Sequence, residues 1–169
     1  LSLEALRLAD QPGLLSTGSV CLQDVATVAH RLLGARGIVA SGFHLHLPEV
    51  EPGDRAAAGL AVLAALASAS SGIEPRAGLG LVGCLSLTGR VGRVSHLAEK
   101  LLAAQRGGLS GLVLPAANAA ELARLPAAIH EGLDLHWVQT VDEALLAVLP
   151  GLASQLNLIR VISILPSAS

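Results

Sequence analysis

The sequence contains no methionine, one tryptophan and one phenylalanine, and aromatic residues make up 1 % of it. Any core must therefore be built from Leu, Val, Ile and Ala. A chain without methionine that starts at Leu1 is expected to be a segment of something longer. Only two cysteines occur, Cys21 and Cys84. Two isolated thiols suit a reducing compartment, cytoplasm or organelle matrix, better than a disulfide scaffold. Eleven basic residues against thirteen acidic ones leave a net charge of −2, so no electrostatic pull toward nucleic acid or an anionic membrane is expected. The longest near-apolar run, residues 56–69, falls short of the roughly 20 residues of a membrane span. Lys100 is the only lysine and Leu101 follows it. A Walker A loop needs Lys followed by Ser or Thr, so the segment holds none.

What is present is a chain of 169 residues, 52 % apolar, enough for one domain with a real core. Residues 1–8 read as a strand. Residues 24–33 carry helical spacing, closed by Gly34 and Gly37, and a strand over 38–47 ends at Pro48. Residues 49–55 form a loop with Pro52 and Gly53. An almost wholly apolar helix over 56–71 stops at Gly72, and a helix apolar all round is buried. Residues 79–87 read as a strand, and Thr88-Gly89 begins a turn. Ser95 is the expected N-cap of a helix over 96–105, closed by Gly107-Gly108. A short strand over 111–114 ends at Pro115, and Asn118 is expected to cap a helix through Leu125. A strand follows over 133–139. Thr140 caps a last helix, with Glu143 three residues on as in a capping box. Strands and helices alternate, which places the chain in the α/β class. One domain is expected over 1–150, with 151–169 an unassigned tail.

Several side chains invite a chemical reading. His44 and His46 are two apart on a strand and share a face. With Glu49 they suggest a metal site, but no third ligand has a fixed spacing, so structural or remnant active-site histidines are the plainer reading. Cys84 lies among apolar residues in a strand and reads as a core cysteine before it reads as a nucleophile. Arg90, Arg93 and Arg106 form either a basic patch or an ordinary solvated face.

Linked motifs narrow this. His44-Leu45-His46-Leu47-Pro48-Glu49, the loop Gly53-Asp54-Arg55-Ala56-Ala57, and Gly83 with Leu85-Ser86-Leu87-Thr88-Gly89-Arg90-Val91 follow one another in order. Then come Ala98-Glu99-Lys100-Leu101-Leu102-Ala103-Ala104-Gln105-Arg106-Gly107-Gly108, Leu112-Val113-Leu114-Pro115 with Asn118, and Val141-Asp142-Glu143. From about Leu3 to Leu149 the chain resembles the proteolytic domain of Lon-type proteases. The resemblance implies the Lon proteolytic α/β fold (ribosomal protein S5 domain 2-like) and a Ser-Lys dyad. Its lysine falls on Lys100 and its serine on Ala57, 43 residues earlier. Asp54 matches the aspartate three residues before the serine. A hydroxyl must attack the peptide carbonyl and a neutral amine must take its proton, and alanine has no hydroxyl. Val82 stands in place of the usual threonine, Cys84 where glutamate or serine is common, and Ser95-His96 where Gly-Gly is usual. Natural decay and deliberate disarming both fit. Thr88 through Ser95 is also similar to part of the C-terminal domain of the RadA recombination ATPase, a Lon-type scaffold without the serine.

The resemblance further implies unfolded protein as substrate, a homo-oligomeric ring of about six subunits and no cofactor in this segment. ATP would bind only an ATPase segment preceding it. Backbone N–H groups at the start of the helix after Ala57 are expected to help bind an oxyanion. The expectation is a Lon-family domain that is proteolytically silent as written. The alternatives are a non-catalytic ring-forming or substrate-holding scaffold and a cysteine-using hydrolase through Cys84.

Overall fold

The computed structural model describes residues 4–8, 14–18, 22–38, 42–47, 54–154 and 156. Cys21, Pro48, Glu49, Gly53 and residues 157–169, all named above, lie outside them. Three small sheets and five helices make up the described fold. Strand β1 (Glu4–Leu8) runs antiparallel to β3 (Gly42–Leu47), and β2 (Leu14–Gly18) runs parallel to β3 on its other side. Helix α1 (Gln23–Gly34) is the crossover of this β2–α1–β3 unit. The apolar run becomes a 3₁₀ turn over Ala56–Ala58 followed by α2 (Gly59–Ser71), which ends at Gly72 with φ +71°. A left-handed residue closing a helix favours glycine. As its composition demands, α2 is buried: Leu60, Val62, Leu63, Leu66 and Ala67 are fully shielded from solvent.

A second sheet is wholly parallel, β4 (Leu79–Leu81), β7 (Gly111–Pro115) and β8 (Asp134–Val138), with β7 central. The expected strand over 79–87 is broken. Leu79–Leu81 belongs to this sheet, whereas β5 (Cys84–Leu85) pairs with β6 (Val91–Gly92) in a hairpin. The break falls at Gly83, whose N–H donates to the Ala57 carbonyl at 2.9 Å and whose carbonyl accepts from the Leu60 N–H at 3.1 Å. The backbone there is drawn away from its neighbouring strand to serve the start of α2. The remaining helices are α3 (Leu97–Arg106), the single turn α4 (Ala119–Leu122) and α5 (Val141–Val148). At α5 the capping reading holds: Thr140 Oγ1 accepts from the Glu143 N–H at 3.3 Å.

The parallel sheet is covered on both faces, as parallel sheets are. Val113 and Val138 point into a large core shared with α1, α2, α5 and the first sheet. Leu112 and Leu114 point the other way, into a smaller core with Leu97, Leu101 and Ala104 of α3. Beyond α5, a 3₁₀ turn over Pro150–Ser154 carries Leu152 into the large core, and Leu156 is buried there as well. The start of the tail is therefore part of the packing.

Candidate functional site

Ala57 belongs to the smaller core, packed with Val94, Leu97 and Leu101, and Val82 and Cys84 lie against the same cluster. Helix α3 buries Leu97, Leu101 and Ala104 on one face. Lys100 sits at the edge of that face, its side chain 14 % exposed, and its Nζ pairs with Asp54 Oδ1. Asp54 is half-exposed and begins the turn that holds Ala57, whose N–H donates to the Asp54 carbonyl at 3.0 Å. The structure thus brings Asp54, Ala57 and Lys100 to one place, from elements more than forty residues apart.

The turn reaches this place because two glycines permit it. A Cβ on Gly59 would stand 2.9 Å from the Gly83 carbonyl oxygen and 3.2 Å from the Leu85 nitrogen, and a Cβ on Gly83 would stand 2.7 Å from Leu60 Cδ1. The start of α2 is therefore pressed against the 83–85 backbone more closely than any side chain allows.

Hydrogen bonding in the turn departs from expectation. The N–H groups of Ala57, Ala58, Gly59 and Leu60 donate to the carbonyls of Asp54, Arg55, Ala56 and Gly83 in turn. Each donor proposed for an oxyanion is engaged within the 3₁₀ turn or with Gly83, so none of the four is free to meet a developing negative charge. In the same state Lys100 acts as a donor to Asp54. A general base must also present a lone pair to a hydroxyl, and a neutral amine, with two N–H donors and one lone pair, can do so while one N–H stays on Asp54.

On the α3 side, Asn118 is the one fully buried polar residue among the described residues. Its amide does not cap α4 as the sequence suggests. Oδ1 accepts from the Val94 N–H at 3.0 Å and Nδ2 donates to the Val94 carbonyl at 2.9 Å. Nδ2 also reaches Glu121, which in turn accepts from Arg93 at 2.7 Å. This clamp fixes the segment that leads into α3. The N-cap of α3 is His96, not Ser95. Its backbone is left-handed, with φ +54°, and its carbonyl accepts from the Lys100 N–H at 3.2 Å. A left-handed backbone is one that glycine adopts without strain, which gives the Gly-Gly pair implied by the family resemblance a physical reason.

Cys84 faces the same cluster, but its chemistry is wrong for a nucleophile. Its thiol donates to the Arg93 carbonyl at 3.2 Å. Burial pushes its pKa up, only partly countered by the nearby Lys100 charge, so the reactive thiolate is disfavoured. Of the arginines, Arg93 is taken by Glu121. Arg90 lines a shallow pocket of about 340 Å³ with Val91, Ala116, Ala117, Val138 and Gln139, which none of Asp54, Ala57 or Lys100 lines.

Comparison with known proteins places the chain in a family. The Lon protease (S16) C-terminal proteolytic domain matches residues 3–151. The chain belongs to that family. It is 38 % identical over 157 residues to the Lon protease of Acinetobacter baumannii, covering 86 % of this chain and 19 % of that protein. To the mitochondrial Lon protease homolog of Homo sapiens it is 40 % identical over 107 residues, covering 63 % of this chain and 11 % of that protein. To Lon protease 1 of Thermus thermophilus it is 41 % identical over 103 residues, 60 % and 13 % of the two chains. The chain therefore spans a fifth or less of the length of these Lon relatives. Within the described residues, no helix is long and apolar enough to cross a membrane.

Proposed function

We propose that this chain is the proteolytic-domain part of a Lon-type assembly and cannot itself cut peptide bonds in the form given. One observation carries the reading: Ala57 lies at the seam where Asp54 meets Lys100, and it stands where the family resemblance puts the nucleophile. An alanine cannot form an acyl-enzyme. Lys100 fits the base of a Ser-Lys dyad and Asp54 the residue that shapes the turn and orients Lys100. Unfolded protein fits as the material handled. A homo-oligomeric ring, and an ATPase segment in the same polypeptide that binds ATP, fit a chain that spans a fifth of its Lon relatives. A reducing intracellular compartment fits the isolated Cys84. In this reading the domain holds or passes substrate without hydrolysing it.

The test compares the chain with its Ala57→Ser variant on a fluorogenic unfolded protein, in the assembled state. The chain as given should show no cleavage above background. Removing the serine of a serine protease costs on the order of 10⁶ in kcat, so a variant that regains even a small part of that is readily seen. Lys100→Ala in the serine background should abolish whatever is regained. Cleavage by the chain with Ala57 in place would refute the proposal. A serine variant that stays silent in the assembly would mean that the site has decayed beyond its nucleophile and that only the holding role remains.

A further inference from the structure

Strand β3 sends Phe43 and Leu45 into the large core, while His44 is half-buried and His46 exposed on the opposite face. Thr17 of β2 is the register partner of His46 on that face. The two rings converge on it: His44 Nε2 lies 2.9 Å and His46 Nδ1 3.2 Å from the same atom, Thr17 Oγ1. A hydroxyl has a single proton. It can donate to only one of the two ring nitrogens, and the other must donate to it. One imidazole lone pair therefore already points at the common centre. The second becomes available when its ring shifts its proton to the other nitrogen, a change between two neutral tautomers.

From this convergence of two imidazole nitrogens on one hydroxyl, we infer that His44 and His46 form a binding site for a divalent transition-metal ion of the zinc, nickel and copper class. An ion held by two ring nitrogens about 2.0–2.1 Å away takes the place of the Thr17 hydroxyl, which must turn aside while the two rings, already directed at that point, swing to meet the ion. The ligand type selects the ion. Imidazole suits zinc, copper and nickel, whereas magnesium and calcium seek oxygen. Within the described residues, no group of three or more His, Cys, Asp or Glu is placed to hold a metal, so water completes the coordination sphere, which the exposure of His46 allows. Sequence spacing alone offered no third ligand. The added observation is that the neighbouring strand gathers the two rings at one atom. The site uses neither Ala57 nor Lys100, and its test is independent of proteolysis.

The other four histidines, His30, His96, His130 and His136, serve as internal controls. The chain is titrated with Ni²⁺ at neutral pH while its six histidine ring signals are followed by NMR. The paramagnetic ion should broaden His44 and His46 at a concentration about ten-fold below that needed for the other four. A parallel titration with Mg²⁺ should broaden or shift neither. In the His44→Gln/His46→Gln variant the early event should be lost, and the remaining rings should respond as before. If all six rings broaden together, if another histidine responds first, or if the selective event survives in the double variant, the site does not exist. The ranking of rings in the unaltered chain decides the matter even if the variant folds poorly.

Discussion

Two turns meet at Lys100 and are held by different means. The segment before α3 is clamped by side chains: the Asn118 amide grips both backbone groups of Val94, and Arg93 pairs with Glu121. The 54–58 turn is held almost wholly by backbone, through carbonyls of Asp54, Arg55 and Gly83 and through glycines that let α2 press on the 83–85 strand. Its one side-chain tie is Asp54 to Lys100. A backbone-held turn tolerates a small replacement at residue 57, because none of its hydrogen bonds needs that side chain. Whether position 57 carries alanine or serine should therefore matter little to the fold, whereas loss of Asn118 should matter a great deal. Chemistry can disappear from such a site while its architecture stays.

The sharpest way to test this contrast is Asn118→Ala. It strands the N–H and carbonyl of Val94 in a dry place, and each unpaired buried polar group costs about 1–3 kcal/mol. We expect a loss of about 3 kcal/mol, read as a lowered urea midpoint at unchanged slope. Ala57→Ser, on the other turn, should move the midpoint far less. If the two changes destabilise equally, the distinction between a clamped and a backbone-held turn is wrong.

Next in size is Gly59→Ala. Alanine is favoured over glycine by about 1 kcal/mol in a helix interior, and Gly59 is only the first residue of α2, so propensity alone predicts at most that gain. Position 59, however, faces backbone atoms at 2.9 and 3.2 Å, and overpacking costs about 1–3 kcal/mol. Backbone cannot swing aside as a side chain can, so the clash should win, with a net loss of about 1–2 kcal/mol. A stabilised variant would show that the close approach of α2 to the strand is not needed.

The alternation of elements, the buried character of α2, the Gly72 stop and the Thr140 cap were legible because each rests on local periodicity or cap chemistry. Asp54, Ala57 and Lys100 were legible as motif positions, and the implied dyad already joined Ala57 to Lys100; the Asp54–Lys100 pair was not legible, since nothing local tells where the Asp54 side chain will reach. What escaped was decided by distant partners. Strand β2, short and rich in small polar residues, gave no alternation. The break at Gly83 depends on α2, and the Asn118 amide, read as a helix cap, is claimed by Val94. Ser95 looked the better cap by residue type, but the chain turns one residue later, through a left-handed His96.

That turn supplies a smaller, opposite effect. A left-handed conformation costs a non-glycine residue roughly 1–2 kcal/mol, while glycine brings back about 0.5–1 kcal/mol of unfolded-state entropy. His96→Gly should therefore stabilise the chain by up to about 1 kcal/mol, a rise in Tm of about 2–4 °C. A fall in Tm would mean that the imidazole makes a contact worth more than the strain it imposes.

The smallest effect lies in the ion pair behind the clamp. The Arg93 hydrogen bond, helped by the Asn118 amide and opposed by burial, holds the Glu121 carboxyl below the usual carboxylate range. A carboxyl whose folded pKa is depressed adds stability above its unfolded value, about 4.3, and loses it as the pH falls through the lower folded value. Because Arg93 is largely exposed, its side chain 63 % accessible, solvent screens the pair and the contribution should stay below about 1 kcal/mol. Unfolding midpoints taken from neutral to acid pH should show a shallow decline below about pH 4.3 that is weaker in Glu121→Gln. The variant keeps an amide oxygen for Asn118 and loses only the charge. The Asn118→Ala chain should show a weaker decline too, since Glu121 then lacks one of its three donors, Arg93, Asn118 and the Leu97 backbone. If Asn118→Ala leaves the acid limb untouched, Arg93 and Glu121 act apart from the clamp, and the α3 side rests on the buried amide alone.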